Sequence, residues 1–387
     1  MLDFTKLLNA IRAINNTPYG PLPLHTPVFT GREREYVLAA IDSTFVSSIG
    51  PEVERFEQML ADITGAKMVV VCVNGTAALE MGLLLAGVSY GDLVLTQTIS
   101  FVATANAIAH IHAEPVFLDI DRDTLGLSPY AVHDFLQKQC IVKEHSCYHK
   151  ATGKRVAACV PMHTFGLPAR IEEIIALCEE WHINLVEDAA EALGSKRNGK
   201  HCGTFGFAGA LSFNGNKIVT TGGGGALLFM DAELGHKAKH WITTAKIPHP
   251  WLYSHDHIGW NYRMPNINAA LGCAQLEQLS KFLAEKRARA QKYETLFTNE
   301  FVDSGWKFVH EPEGTQSNYW LCAVLTNNRT ERDAFLKYSN EAGVMTRPVW
   351  EPLHTLPMFA NCLHDELLVS LDVANRLINL ASGVRQL

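Results

Sequence analysis

The sequence predicts an α/β protein: a large, mostly parallel sheet covered by helices on both faces, followed by a smaller α+β domain. Three observations carry that prediction. Strand-like apolar runs alternate with helical patterns through roughly the first 250 residues. Those runs are continuously apolar and not alternating, as expected of strands buried on both faces. Beyond about residue 245 the texture changes to an aromatic, turn-rich loop, a long helix and a compact mixed segment. With 387 residues there is room for two domains. The expected division is 1–250, including an N-terminal arm over about 1–28, and 251–387.

Taken in order, MLDFTKLLNAIRAINN is amphipathic but lacks the apolar core and cleavage site of a signal peptide. GREREYVLAAIDS and PEVERFEQMLADITG follow as a helix pair, with Phe56, Met59 and Leu60 on one face. KMVVVCV is a β-branched strand that runs into the helical NGTAALEMGLLLAG. DLVLTQTIS then leads to ATANAIAHI, EPVFLDID follows, and VAACVPMH leads to the amphipathic RIEEIIALCEEWH. INLVEDAA, ALSFN and GALLFM supply three more strands. In the second domain the loop IPHPWLYSHDHIGWNYRMP feeds a long linking helix, roughly Asn266 to Phe297, and then NYWLCAVLT, TERDAFLKYSNEAGV and MTRPVWEPLH.

Composition narrows the class. Lys and Arg number 33 against 40 Asp and Glu, a formal charge of −7, so the basic surplus of a nucleic-acid binder is missing. Hydrophobic residues make up 47% and charged ones 19%, enough apolar material for a sizeable core. No apolar run reaches the ~18 residues of a membrane span, and a cytoplasmic globular protein is expected. Nine cysteines in so long a chain, without a CxxC pair, read as small buried hydrophobes. His145, Cys147 and His149 lie on the polar stretch KEHSCYHKATGK without a second ligand pair, so they read as a loop, and no metal is expected.

Three features fall where open parallel sheets bind ligands, beyond the carboxyl ends of strands. Val73-Asn74-Gly75-Thr76 joins a strand to a helix, either as an ordinary capped turn or as a phosphate seat of free N–H groups and a hydroxyl. Glu187-Asp188 ends the apolar strand INLV. A carboxylate there is either a cap for the next segment or the partner of a cation, since burying it unpaired is costly. LSFNGNKIVTTGGGGALL places Lys217 before four glycines that bring the backbone close to something. The lysine precedes the glycines and the GxxxxGK(S/T) pattern is absent, which disfavours a nucleotide P-loop. Together a lysine, a strand-end carboxylate and a phosphate cradle of Gly75, Thr76 and Ser212 match the needs of pyridoxal phosphate. That cofactor takes a lysine imine, a carboxylate on its ring nitrogen and a phosphate seat.

On NGTAAL, SFVATANAI, EPVFLDID, MHTFGLPARI, VEDAAEALGS, GKHCGTFG, SFNGNKIVTTGGGGAL and WNYRMPNINAALG, the chain resembles the DegT family of sugar aminotransferases, of the aspartate-aminotransferase (fold type I) superfamily. STFVSSIG, DTLGLSP and TTGGGG look most like the branch of the legionaminic-acid and bacillosamine pathways. The resemblance implies that Lys217 joins the cofactor and shuttles protons, that Asp188 partners the pyridine nitrogen, and that Thr76, Gly75 and Ser212 cradle the phosphate. Phe101 falls at the position that stacks on the ring, with a core phenylalanine as the competing reading. Asn261 and Arg263 match positions that reach the neighbouring subunit's site, toward the cofactor phosphate and the substrate's diphosphate, where an Arg fork suits an anion. His163 is placed near the substrate, with a buried structural histidine as the alternative.

Two positions depart from many relatives. Glu191 replaces His or Gln near the phenolic oxygen, where a carboxylate needs protonation or a partner. Gly223 replaces Glu in the glycine run and opens room beside the sugar. The implied reaction moves an amino group from L-glutamate to the 4-keto carbon of a nucleotide-linked 6-deoxy sugar. UDP-2-acetamido-2,6-dideoxy-hexos-4-ulose is the expected acceptor, for surface-glycan biosynthesis, in a homodimer with shared sites. A sugar dehydratase and a non-catalytic regulatory protein on the same fold are the alternatives.

Overall fold

The computed structural model describes residues 2–384; residues 1 and 385–387, at the outer ends of the two expected domains, lie outside that range. The chain opens with α1 (Phe4–Ile14), α2 (Glu33–Asp42) and α3 (Pro51–Thr64). Proline at the first position of α3 and Gly65 in left-handed conformation after it mark the start and stop the sequence prescribes. Then come β1 (Met68–Cys72), α4 (Gly75–Leu85), β2 (Leu93–Gln97), α5 (Val102–His110), β3 (Glu114–Leu118) and α6 (Pro129–Gln139). A hairpin, β4 (Cys140–Lys143) and β5 (Ser146–His149), precedes β6 (Arg155–Val160), α7 (Ile171–Glu180) and β7 (Asn184–Asp188). A short ribbon, β8 (Lys196–Arg197) and β9 (Lys200–His201), leads to β10 (Ala208–Ser212), β11 (Gly225–Phe229) and α8 (Ala232–Ile242).

The large sheet runs in the order β1-β11-β10-β7-β6-β2-β3. The pairings from β10 through β3 are parallel, and β11 is antiparallel to both neighbours. The interior of β2 is fully buried and β1, β3, β6 and β7 nearly so, which accounts for their unbroken apolar runs. One consequence positions the site: the carboxyl ends of β1, β2, β6, β7 and β10 lie along one edge of the sheet, the edge where ligands of such sheets sit.

The second half carries α9 (Asn266–Leu276), α10 (Leu279–Thr295), β12 (Lys307–Phe308), β13 (Thr315–Gln316), β14 (Cys322–Leu325), α11 (Arg329–Glu341), β15 (Arg347–Pro348), α12 (Leu368–Arg376) and β16 (Leu377–Leu380). A four-stranded antiparallel sheet, β12-β14-β16-β15, forms its centre. β13 pairs with β8, so a strand of this half completes a ribbon of the first. α9 packs on α2 and α3, and α1 packs on α10 and α11.

Two local expectations are corrected. The single helix from 266 to 297 is two helices, broken at Glu277-Gln278. Side chains pin that corner: Glu277 accepts bonds from Tyr36 and Arg55, and Gln278 bonds Glu33 and Thr30. The polar stretch around His145 is a hairpin and not a loop. Glu144 and His145 take positive φ (48° and 60°) in its two-residue turn, as such turns require. Its inward face carries Cys140, Cys147 and His149, too few apolar residues for alternation to show.

Candidate active site

The turn from β1 to α4 is built around close approach. Asn74 is extended (φ −168°, ψ 169°), and its side chain accepts the Ala77 N–H at 2.8 Å, capping the helix. A Cβ on Gly75 would lie 2.9 Å from the Ser212 Cβ, and one on Gly225 would lie 2.4 Å from the Asn74 carbonyl. Only glycines let the helix start sit against the ends of β10 and β11. The first turn of α4 carries no acidic side chain, which leaves its positive dipole end open to an anion.

At the end of β7, Asp188 is 3% exposed. Thr104 Oγ1 donates to its Oδ2 at 2.7 Å, and the Ala190 N–H donates to Oδ1 at 3.1 Å. Burial pushes the carboxyl above its usual range, against the pull of Thr104, the Ala190 amide and Lys217. A positive or N–H-bearing ligand group would relieve that penalty. The adjoining Glu187 has a different task. It points the other way along the alternating strand and accepts three backbone N–H groups, from Gly203, Phe205 and Gly206.

Lys217 lies in the loop after β10, with Nζ 3.1 Å from Glu191 Oε1 and 4.1 Å from the centroid of the Trp320 ring. Trp320 in turn donates its indole N–H to the Asn216 carbonyl at 2.7 Å, so it holds the loop as well as the ammonium. Glu191 is buried, and its other oxygen accepts the Phe165 N–H at 2.9 Å. Burial pushes the Glu191 carboxyl up to about 7, although Lys217 and the Phe165 amide pull it down. Phe165 delivers that amide from a left-handed backbone (φ 57°), a strained conformation for a bulky residue and a frequent mark of functional sites.

These groups share one cavity of about 390 Å³, lined among others by Gly75, Thr76, Phe101, Asp188, Glu191, Ser212 and Lys217. Gly223 lines the same cavity, so eight of the eleven site residues singled out from sequence are together. Phe101 is half exposed at the start of α5 and lines the cavity, which excludes the core reading. His163 is fully buried behind the floor. Its Nε2 is 3.0 Å from Glu187 Oε2 and its Nδ1 accepts the Ala169 N–H, so both nitrogens are engaged and the substrate contact expected of it is replaced by a structural one. Asn261 and Arg263 do not line this cavity. They bond each other, Arg263 Nε and Nη2 lying 3.1 and 3.0 Å from Asn261 Oδ1. Sequence reasoning missed Thr104, Phe165, Trp320 and Trp350. The one signal for Thr104 was a hydroxyl within the apolar stretch ATANAI; the aromatic three come from distant segments.

Residues 28–385 match the DegT/DnrJ/EryC1/StrS aminotransferase family. The chain belongs to that family. It is 35% identical over 361 residues to the GDP-perosamine synthase of Escherichia coli O157:H7, covering 93% of each chain. It is 30% identical over 353 residues to the dTDP-4-dehydro-2,3,6-trideoxy-D-glucose 4-aminotransferase of Saccharopolyspora spinosa, covering 88% of this chain and 86% of that one. Among solved structures, the aminotransferase TlmJ from Streptoalloteichus hindustanus superposes with a TM-score of 0.84 over 94% of both chains at 29% identity. This DegT-family member is a sugar aminotransferase of fold type I, and its cofactor is pyridoxal phosphate. The residues fit that group. The glycine-tight helix start suits a phosphate, the buried Asp188 suits a ring N–H, and an amine stands in the same cavity. No helix is long and apolar enough to cross a membrane among the described residues.

Proposed function

We propose that this protein transfers the amino group of L-glutamate to the 4-keto carbon of a nucleoside-diphosphate-linked 4-keto-6-deoxy sugar in the cytoplasm. The observation that carries the reading is the convergence of Lys217, Asp188 and the α4 start on one cavity. The 4-position is supported by a relative whose name specifies a 4-dehydro sugar and a 4-aminotransferase.

When bound, pyridoxal phosphate supplies an aldehyde that captures amines and a protonated ring that accepts electrons from the adjacent carbon. The rest falls to the chain. Asp188, fixed by Thr104 and the Ala190 amide, holds the proton on the ring nitrogen. Gly75, Thr76 and Ser212 seat the phosphate. Lys217 Nζ would take the proton from the α-carbon of the donor and deliver it to the cofactor across the shared nitrogen, and one water would then cleave the carbon–nitrogen bond, so that 2-oxoglutarate leaves and the amino group stays behind. In the second half it runs the transfer in reverse and sets a proton on C4 of the sugar. Glu191 and the Trp320 face hold the ammonium of Lys217 between transfers. Trp320, Trp350 and Phe101 wall the cavity and limit water.

Asn261 and Arg263 lie outside their own chain's cavity, and we place them in the site of a second copy, with Arg263 toward the substrate's diphosphate. The acceptor we put first is UDP-2-acetamido-2,6-dideoxy-hexos-4-ulose, following the legionaminic-acid and bacillosamine resemblance. Two relatives carry GDP and dTDP in their names, so the nucleotide is decided by a panel. UDP-, GDP- and dTDP-linked 4-keto sugars are incubated with enzyme and L-glutamate and followed by mass spectrometry. An aminosugar with equimolar 2-oxoglutarate is expected from one of them. A deoxygenated product without 2-oxoglutarate would replace this reading with a dehydratase.

A further inference from the structure

We infer that Gly223 sets acceptor specificity, staying bare so that the nucleotide-linked sugar can lie across it; the inference rests on the aminotransferase reading above. Gly222 to Gly225 connect the Lys217 loop to β11, and three of the four have reasons inside the chain. Gly222 has φ +80°, which side chains rarely adopt. A Cβ on Gly224 would lie 2.3 Å from Thr221 Oγ1 and 2.6 Å from Met264 Cε. A Cβ on Gly225 would strike the Asn74 backbone at 2.4 Å.

Gly223 has neither constraint. Its φ is outside the left-handed region, and the nearest atom to a Cβ there is the Val73 carbonyl oxygen at 4.0 Å, an ordinary contact. A glycine with no conformational need still carries the entropy cost of ordering. The space it leaves is cavity space, because Gly223 lines the cavity beside Asn74, Thr76, Asn214 and Lys217. That space is fixed and not floppy: the Gly223 carbonyl accepts Thr221 Oγ1 at 2.9 Å and Asn268 Nδ2 at 3.2 Å.

Depth separates the two possible occupants. The phosphate seat is lined by the buried Gly75 and the half-buried Thr76 and Ser212, whereas Gly223 is exposed at the rim. A ligand crossing the rim there is the larger second substrate. L-glutamate, small enough to reach Lys217 without touching the rim, is indifferent to it.

The test uses the holoenzyme with Gly223→Ala and Gly223→Leu. Three readouts are taken: the visible absorbance of bound cofactor, the single-turnover spectral change with L-glutamate alone, and steady-state amination of the acceptor identified in the panel. For Gly223→Leu the first two stay within about twofold of the parent, while the KM for the sugar rises about tenfold or more, the scale of forcing extra carbons into a filled site. Gly223→Ala keeps the parent's thermal midpoint and falls between the two in KM. An unchanged sugar KM in Gly223→Leu overturns the inference. So does loss of cofactor, of the dimer or of the glutamate half-reaction, which would assign the glycine to the cofactor seat or a subunit contact. If the parent enzyme reacts with L-glutamate yet aminates no nucleotide sugar, the functional reading fails and takes this inference with it.

Discussion

Glu191 and Lys217 face each other at 3.1 Å with little solvent between them and the Trp320 ring. In water such a pair is worth little; here both charges have left water, so each depends on the other. The carboxyl of Glu191 is raised from its ordinary 4.5 to about 7, with burial as the main cause. Between those pH values the unfolded chain has ionised this group and the folded one has not. Its contribution to stability therefore falls as pH rises from about 4.5 to 7, and the penalty is complete above that. Denaturant midpoints of the cofactor-free protein at pH 5 and pH 7.5 check this. Glu191→Gln is expected to gain on the parent between the two pH values, and a constant difference would show that the carboxyl titrates as in water. The same residue shows the reach and limit of sequence reading. That Glu191 needs a partner followed from charge alone. That the partners are Lys217 and the Phe165 amide did not, because a left-handed phenylalanine leaves no trace in local composition.

Among elements, one amide ties the start of α9 to the start of α3 and to the segment before it. Asn266, the first residue of α9, accepts the Glu52 and Val53 N–H groups at 3.0 and 3.3 Å and donates to the Phe45 carbonyl at 2.7 Å. It thus caps α3 from another helix, and a Cβ on Gly50 would collide with it. Asn266→Ala should destabilise by roughly 0.5–2 kcal/mol, the cost of a lost cap, measurable as a shift in urea midpoint without a change in slope. An unchanged midpoint would mean that water takes over the cap. Strands such as Met68–Cys72 and Leu93–Gln97 were legible because burial on both faces imposes an unbroken apolar run. The break between α9 and α10 was not legible. Neither glycine nor proline marks it, and the corner is held by Tyr36, Arg55, Glu33 and Thr30 from distant sequence.

For the molecule as a whole, alternating strands and helices determine the parallel sheet, and the sheet determines where its strand ends converge. That chain of reasoning carries from sequence to cavity for Gly75, Asp188, Ser212 and Lys217. It stops short of Asn261 and Arg263, which do not line the cavity of their own chain. If Arg263 serves a neighbour's site, two defective chains can rescue each other. Co-expressing Lys217→Ala with Arg263→Ala should yield mixed dimers with one intact site, and activity well above that of either variant alone. Activity no higher than the two separate variants would confine Arg263 to its own chain. Which amine holds the cofactor decides the chemistry of the whole molecule. Borohydride reduction of the holoenzyme, followed by proteolysis and mass spectrometry, reads it directly. One pyridoxyl-phosphate adduct is expected, on the peptide bearing Lys217 and absent from Lys217→Ala; an adduct on another lysine, or none, would overturn the role given to Lys217.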